Sequence, residues 1–134
     1  QAKSTWKAAR QGLYDSWAAG SDCKEVQNHY IYSFGSFDHN MWALSCRVIA
    51  NAYRTHGTPM SRMEAIKNPP PIRHIFSHPL NEREYRDLHE EFSGMHSWFS
   101  YTDLKGATHF PSLELPGKVA EQIDDLVQKV VKEI

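Results

Sequence analysis

Apolar side chains recur every three or four positions in four separate segments of this sequence, and this spacing constrains the fold more than any other feature. Such a stripe lies on one face of an α-helix and has to be buried against another element. The four predicted helices lie between Ser4 and Gly20, between Ser36 and Gly57, between Asn81 and Gly94, and from Pro116 onward. The last one places Val119, Ile123, Leu126, Val130 and Ile134 on one face, which predicts a helix packed into the core.

Two segments between these helices have the composition of strands. Residues 29–34 and 95–104 are rich in aromatic and β-branched side chains, a third short edge strand fits 112–115, and 72–78 suits either a helical turn or an extended piece. The sequence therefore predicts an α+β fold in one compact domain over residues 1–134. About four helices would cover a small, antiparallel sheet of two or three strands.

Charge and hydropathy exclude several classes of partner. The formal net charge is −1, so the chain as a whole has no preference for nucleic acid or acidic lipid. No apolar run approaches the roughly 20 residues that a membrane-spanning helix needs. We expect no membrane span and no nucleic-acid partner, and the sequence leaves the oligomeric state open.

The two cysteines permit a single internal disulfide. A bond between Cys23 and Cys46 would close a loop whose restriction stabilises the fold by about 3 kcal/mol on the chain-entropy view. The sequence also opens at Gln1 and not at Met. Together these features predict a disulfide and a secreted or periplasmic location. Two buried free thiols are the alternative.

Eight histidines raise the question of a metal site. Only His74 and His78 have the four-residue spacing that brings two ligands together on a helix. In an extended segment they would lie about 13 Å apart, which is too far to share an ion. Pro79 favours the extended form of the residue before it. We therefore predict no metal site and no cofactor, with His74 and His78 as the only candidate ligands.

Candidates for acid–base chemistry are scattered along the chain. Asp38 and His39 stand at the predicted start of a helix, where free backbone amides favour an anion. His109, in the loop that precedes the last helix, is the third candidate. The sequence contains neither a glycine-rich phosphate loop nor a nucleophile elbow. No local motif therefore indicates a catalytic site, and the favoured interpretation is that Asp38 is an N-cap and His39 is exposed to solvent.

Large aromatic side chains are concentrated on the two predicted strands. Tyr30 and Tyr32 lie on the first, and Trp98 and Tyr101 lie on the second. If one face of the sheet is uncovered, it forms an aromatic patch typical of protein interfaces. The sequence therefore predicts a secreted or periplasmic binding protein of the effector, immunity or inhibitor type, with another protein as its partner. The alternative is a small hydrolase that uses histidine and carboxylate groups from separate segments.

Overall fold

The computed structural model describes residues 4–78 and 81–133 of the chain. Within these residues the chain forms seven α-helices, one 3₁₀ turn and two strands. The helices are α1 Trp6–Ala18, α2 Lys24–Tyr32, α3 His39–His56, α4 Pro59–Glu64, α5 Glu82–Met95, α6 Pro111–Glu114 and α7 Pro116–Glu133, the 3₁₀ turn is Phe34–Ser36, and the strands are β1 Ile72–Phe76 and β2 Phe99–Asp103. None of the helices in this part of the chain is both long and apolar enough to cross a bilayer.

Local capping explains where two of the helices begin. The Asp38 side chain accepts a hydrogen bond of 2.8 Å from the Met41 amide and so caps α3. The Thr58 hydroxyl accepts one of 3.2 Å from the Ser61 amide and caps α4, with proline in the first turn. Both helix starts therefore follow directly from the sequence.

The two strands are parallel, with Ile72 opposite Phe99 and Phe76 opposite Asp103. Parallel neighbours cannot be joined by a tight turn, and α5 provides the crossover between them. Successive side chains of a strand point to opposite faces, so the sheet has one face toward α5 and the other toward α7. Phe99 packs on Phe92 of α5, whereas α7 is held on the opposite face by polar contacts. This β–α–β–α arrangement makes the two carboxyl ends of the strands neighbours.

The predicted fold, four helices on an antiparallel sheet, is wrong in both respects. The connection between β1 and β2 is a helix, so the strands run in the same direction. The predicted strand at 29–34 is largely helix α2, because Val26 and Tyr30 at helical spacing pack against Tyr14 of α1. The undecided segment 72–78 contributes β1, and 112–115 lies mostly in α6. The single domain over 1–134 stays a prediction.

The predicted disulfide is also wrong. Cys23 is half-buried at the start of α2 and Cys46 is exposed on α3, and both are free thiols. The Cys23 sulfur instead lies 3.4 Å from a carboxylate oxygen of Glu25 and 4.0 Å from the Leu113 carbonyl. Cys46 is exposed on α3, whereas the sulfur of Cys23 faces Glu25 and Leu113, so the two thiols do not meet. This removes one of the two arguments for an oxidising compartment, and the secreted or periplasmic location stays a prediction.

The last helix is only partly in the core. Val119, Leu126 and Val130 are half-buried, whereas Ile123 is exposed, and Ile134 lies outside the described residues. A second stripe of α7, formed by Ile123, Val127 and Val131, is exposed along its whole length. The helix therefore carries more apolar surface than the described residues cover.

Candidate functional site

The carboxyl ends of the parallel strands meet at one edge of the sheet, which is where open α/β sheets bind ligands. Ser77 and His78 follow β1, and the loop from Leu104 to Phe110 follows β2. His109 lies in that loop. Of the three acid–base candidates predicted from the sequence, it is the one that the fold places at this edge.

The loop before His109 is fixed by the side chain of Glu114. Its carboxylate accepts hydrogen bonds from the amides of Ala107 (2.7 Å) and Thr108 (2.8 Å) and from the Thr108 hydroxyl (2.8 Å). Burial raises the pKa of the Glu114 carboxyl, but these bonds and the charge of His78 outweigh it, so the pKa is below its usual value. Glu114 is therefore a half-buried anchor for the loop, held in its charged form.

A second set of contacts locks this loop onto the end of β1. The Ser77 hydroxyl donates a short hydrogen bond to the carbonyl of Thr108, which is fully buried. Gly106 passes close to both elements, because a Cβ atom there would lie 2.8 Å from the Ser77 Cβ and 2.9 Å from a Glu114 oxygen. Only a glycine permits this approach. The two loops at the sheet edge thus form one rigid support.

His109 stands on this support against the first helix. Its amide donates a 2.7 Å hydrogen bond to the Trp17 carbonyl, and its ring stacks on the Trp17 indole at a centroid distance of 5.3 Å and an angle of 19°. The ring is exposed, and Nδ1 lies 3.5 Å from the His78 carbonyl. A proton on Nδ1 would be donated to that carbonyl, which leaves the Nε2 lone pair to accept a proton from a ligand.

A chain of aromatic side chains in the helical region starts at His109, whose ring contacts Trp17 and Phe110. Trp17 contacts Phe34 and Phe110, and Phe34 in turn meets Trp42 edge-on at 5.8 Å. We call Trp17, Phe34, Trp42 and Phe110 the aromatic wall. Such a surface suits a flat, apolar ligand, because ring contacts add about 0.5–1.5 kcal/mol per pair to the burial of area. The site therefore joins a proton acceptor to an aromatic surface.

Asp103, at the end of β2, is a carboxylate that already has its partners. It accepts hydrogen bonds from Arg86 Nε (2.6 Å) and Lys105 Nζ (2.7 Å). Burial raises the pKa of the Asp103 carboxyl, but the contacts with Lys105 and Arg86 lower it by more. The pKa is therefore below its usual value. Asp103 is thus part of an ion cluster that ties β2 to α5.

The other two acid–base candidates lie elsewhere. Asp38 is the N-cap of α3, and the His39 ring is edge-on to Trp6 at 5.9 Å. The Nε2 atom of His39 is buried and has no hydrogen-bond partner among the described residues. No hydrogen bond or ring contact in the described part of the chain joins His39 to His109. The structure therefore does not bring the predicted acid–base groups together.

The two candidate metal ligands are separated by the end of the strand. His74 lies within β1, where its ring stacks on His89 at 4.7 Å and its Nε2 is 2.9 Å from the Tyr85 hydroxyl. Burial, and secondly the charge of His89, lower the pKa of His74 to about 4. His78 follows the strand. Across residues 4–78 and 81–133, no three histidine, cysteine or acidic side chains are grouped in a way that could hold a metal ion.

The four predicted binding aromatics do not form one surface. Tyr30 lies in α2 and packs on Tyr14 at 4.0 Å, with its hydroxyl bonded to Gln11, while Tyr32 on the same helix is 76% exposed. The other two aromatics lie at the sheet: Trp98 precedes β2 and packs on Phe92 and His96, and Tyr101 in β2 stacks on Phe76. The first pair thus belongs to the helical region and the second to the sheet.

Trp17 and Glu114 are the site residues that sequence reasoning missed. The missing signal was the parallel pairing of 72–76 with 99–103, because only parallel strands place residues 77–78 and 104–110 at one edge. In an antiparallel sheet the same two strands would place these loops at opposite ends of the sheet.

No protein-family model matches the sequence. Curated proteins do match it. The chain is 50% identical over 122 residues to the 2-heptyl-3-hydroxy-4(1H)-quinolone dioxygenase of Mycobacteroides abscessus, a match that covers 91% of this chain and 45% of that protein. It is 43% identical over 121 residues to the 1H-3-hydroxy-4-oxoquinoline 2,4-dioxygenase of Pseudomonas putida, covering 90% of this chain and 46% of that protein. The chain spans about half the length of the curated relatives it matches.

Solved structures give the same result. One of them is an AqdC variant in complex with its substrate, described for the recognition and ring cleavage of the Pseudomonas quinolone signal. It matches with a TM-score of 0.85 and 48% identity, over 92% of this chain and 46% of that one. A 1H-3-hydroxy-4-oxoquinoline 2,4-dioxygenase matches with a TM-score of 0.86 and 41% identity over 92% of this chain and 47% of that one. The helices and the parallel strand pair are therefore arranged as in the matched part of these enzymes.

These similarities overturn the predicted function. A secreted effector, immunity or inhibitor protein that binds through an aromatic surface is wrong, since relatives at 40–50% identity are dioxygenases. The physical reason is that scattered acid–base groups do not argue against an enzyme when the fold, and not the local sequence, assembles the site. The alternative prediction, a small hydrolase, is also wrong, because the relatives are dioxygenases and not hydrolases. Over nine-tenths of its length, this chain is similar to about half of a quinolone dioxygenase.

Proposed function

We propose that this chain forms part of a dioxygenase that cleaves the ring of a 3-hydroxy-4-quinolone, and that His109 is its acid–base residue. The observation that carries the proposal is the position of His109, an exposed imidazole held at the carboxyl edge of a parallel strand pair beside the aromatic wall. The similarity to quinolone dioxygenases supports the choice of substrate class.

The chemistry of the substrate explains why a histidine is needed. Removing the proton of the 3-hydroxyl group gives an oxyanion conjugated with the quinolone ring, and this electron-rich form is the one that reacts with dioxygen. In the proposed step the proton passes from the 3-hydroxyl oxygen to Nε2 of His109. Histidine suits this transfer because its unperturbed pKa lies near neutral pH.

The supports of His109 have a defined part in this scheme. The Trp17 carbonyl holds the backbone of His109 and the stacked indole orients its ring, while the His78 carbonyl is placed to hold the proton on Nδ1. The aromatic wall supplies apolar surface for the quinolone ring next to the base. Excluding water from such a surface strengthens the interaction between imidazole and oxyanion.

A chimera tests the proposal directly. This chain replaces the matched segment of the Mycobacteroides abscessus dioxygenase, and the oxygen-dependent loss of 2-heptyl-3-hydroxy-4-quinolone is followed. We expect the chimera to be active and His109→Ala to lower kcat about 10²–10⁴-fold. His56→Ala, a histidine at the exposed end of α3, is the matched control and should retain full activity.

Two results would contradict the proposal. A folded chimera that binds the quinolone but leaves it intact would reject this substrate class for the chain. An active chimera in which His109→Ala keeps the activity of the control would reject His109 as the acid–base residue.

A further inference from the structure

Arg10 of α1 ties the first helix to the 3₁₀ turn Phe34–Ser36. Its Nη1 atom donates hydrogen bonds to the carbonyl of Gly35 (3.0 Å) and to the carbonyl of Phe37, directly after the turn (2.7 Å). The other hydrogen bonds that the turn makes with described residues join it to α2 or to itself. Within this part of the chain, Arg10 is therefore the polar link that fixes the turn relative to α1.

The guanidinium group of Arg10 is itself held in place. It lies over the Trp6 ring, with Cζ 4.8 Å from the ring centroid, and the residue is half-buried. The aromatic face attracts the cation and shields it from water on one side. Hydrogen bonds from a charged donor are about twice as strong as those between neutral groups. Arg10 therefore restrains the two carbonyls from a fixed position.

The turn that Arg10 holds carries Phe34, a member of the aromatic wall. The centroid of the Phe34 ring lies 5.9 Å from that of Trp17 and 5.8 Å from that of Trp42. Trp17 in turn stacks on His109 at 5.3 Å. A shift of the turn would move Phe34 relative to both indoles and change the apolar surface next to the imidazole. Arg10 thus influences the aromatic wall without belonging to it.

We propose that Arg10 is a positioning residue of the quinolone site, which fixes Phe34 in the aromatic wall by holding the carbonyls of Gly35 and Phe37. The inference rests on the proposed function, because it assigns the aromatic wall to the binding of the quinolone ring. Arg10 acts through Phe34 and not on the reacting atoms. Its loss weakens substrate binding and leaves the proton transfer to His109 largely intact.

The chimera with the Mycobacteroides abscessus dioxygenase separates binding from chemistry. Arg10→Met keeps the apolar stem of the side chain but removes both hydrogen bonds. We expect it to raise KM for 2-heptyl-3-hydroxy-4-quinolone about 10-fold and to change kcat less than about 3-fold. Arg10→Lys retains a charged donor without the guanidinium geometry and should raise KM less, by about 3-fold.

Lys7→Met is the matched control. Lys7 is a cation 5.9 Å from the centroid of the same Trp6 ring, but among the described residues it makes no hydrogen bond to the turn. Its KM should equal that of the unmodified chimera. Phe34→Leu tests the route of the effect: it should also raise KM, and adding Arg10→Met to it should change KM little further, because both variants act through one ring.

Nuclear magnetic resonance of the chain itself tests the geometry without the reaction. Nuclear Overhauser contacts between the Phe34 ring and the indoles of Trp17 and Trp42 should be present in the wild-type chain. They should be lost in Arg10→Met and kept in Lys7→Met. Circular dichroism verifies that each variant is folded.

Three results would overturn the proposal. One is an active chimera in which Arg10→Met has the KM of Lys7→Met, or in which Arg10→Lys does so where Arg10→Met does not fold. Another is a fall in kcat at unchanged KM, which would show a structural role alone. The third is a folded Arg10→Met chain in which Phe34 keeps its contacts with both indoles. An unmodified chimera that leaves the quinolone intact rejects the proposed function instead, and this inference with it.

Discussion

Replacing Glu114 by alanine is the perturbation whose effect follows most directly from the structure. The carboxylate accepts three hydrogen bonds, from the Ala107 amide and from the amide and hydroxyl of Thr108. Ala107 is exposed, so its amide can turn to water, but Thr108 is fully buried and its two donors cannot. A hydrogen bond to a charged group contributes about 1.5–3 kcal/mol, and the two from Thr108 are not additive. We therefore expect Glu114→Ala to lower the free energy of unfolding by about 2–4 kcal/mol.

Urea unfolding followed by circular dichroism measures this loss, with Glu121→Ala on the exposed face of α7 as the matched control. The pH dependence gives an independent check through Glu114→Gln. The pKa of Glu114 is lowered in the folded state, so its stabilising effect is complete above the unfolded pKa and is lost as pH falls through the folded pKa. The difference in stability between wild type and Glu114→Gln should shrink across that acidic window. A loss below about 0.5 kcal/mol for Glu114→Ala at neutral pH would refute the anchoring role.

Two other predictions concern the support of the site and His74, the half-buried histidine of β1. Gly106→Ala should destabilise the chain by about 1–3 kcal/mol, because its Cβ would lie 2.8 Å from the Ser77 Cβ. Gly12→Ala meets nothing within 4 Å in α1 and should instead stabilise by about 0.5–1 kcal/mol; equal melting temperatures for the two variants would contradict this reading. The pKa of His74 is about 4 when folded and near 6.5 when unfolded, so the unfolded chain binds more protons between these values and stability should fall as pH drops from 6.5 to 4. His74→Phe should remove that part of the pH dependence, and an NMR titration that places the pKa of His74 above 6 would show that its contacts with His89 do not persist in solution.

Local signals in the sequence were reliable where a side chain acts on its own backbone. The Asp38 cap and the end of α3 at Gly57, which has a φ of 74°, both follow from residue types that favour these conformations. The segment 29–34 shows the limit of such signals. Its tyrosines and isoleucine have the propensity for a strand, but the burial of Val26 against Tyr14 fixes the helical register and overrides that preference.

The candidate site was the least predictable part of the molecule. His109 was recognisable as a titratable residue in a loop, yet nothing near it in sequence distinguishes it from the other histidines. Its neighbours Trp17 and His78 are 92 and 31 positions away, and only the fold brings them together. The hydrogen bonds that Glu114 accepts from the preceding loop could be guessed from proximity in sequence, but their purpose depends on where β2 ends.

The sequence by itself determined that this chain is helix-rich, where most helices begin and end, and which residues can exchange protons near neutral pH. These properties depend on interactions within a few residues, so local chemistry is sufficient to specify them. Only the tertiary structure decided that β1 and β2 are parallel, that Cys23 and Cys46 stay apart, and that His109 stands beside Trp17. Each of these depends on contacts between segments distant in the chain, whose free energy comes from packing and from the satisfaction of buried hydrogen bonds, and neither is encoded at any single position.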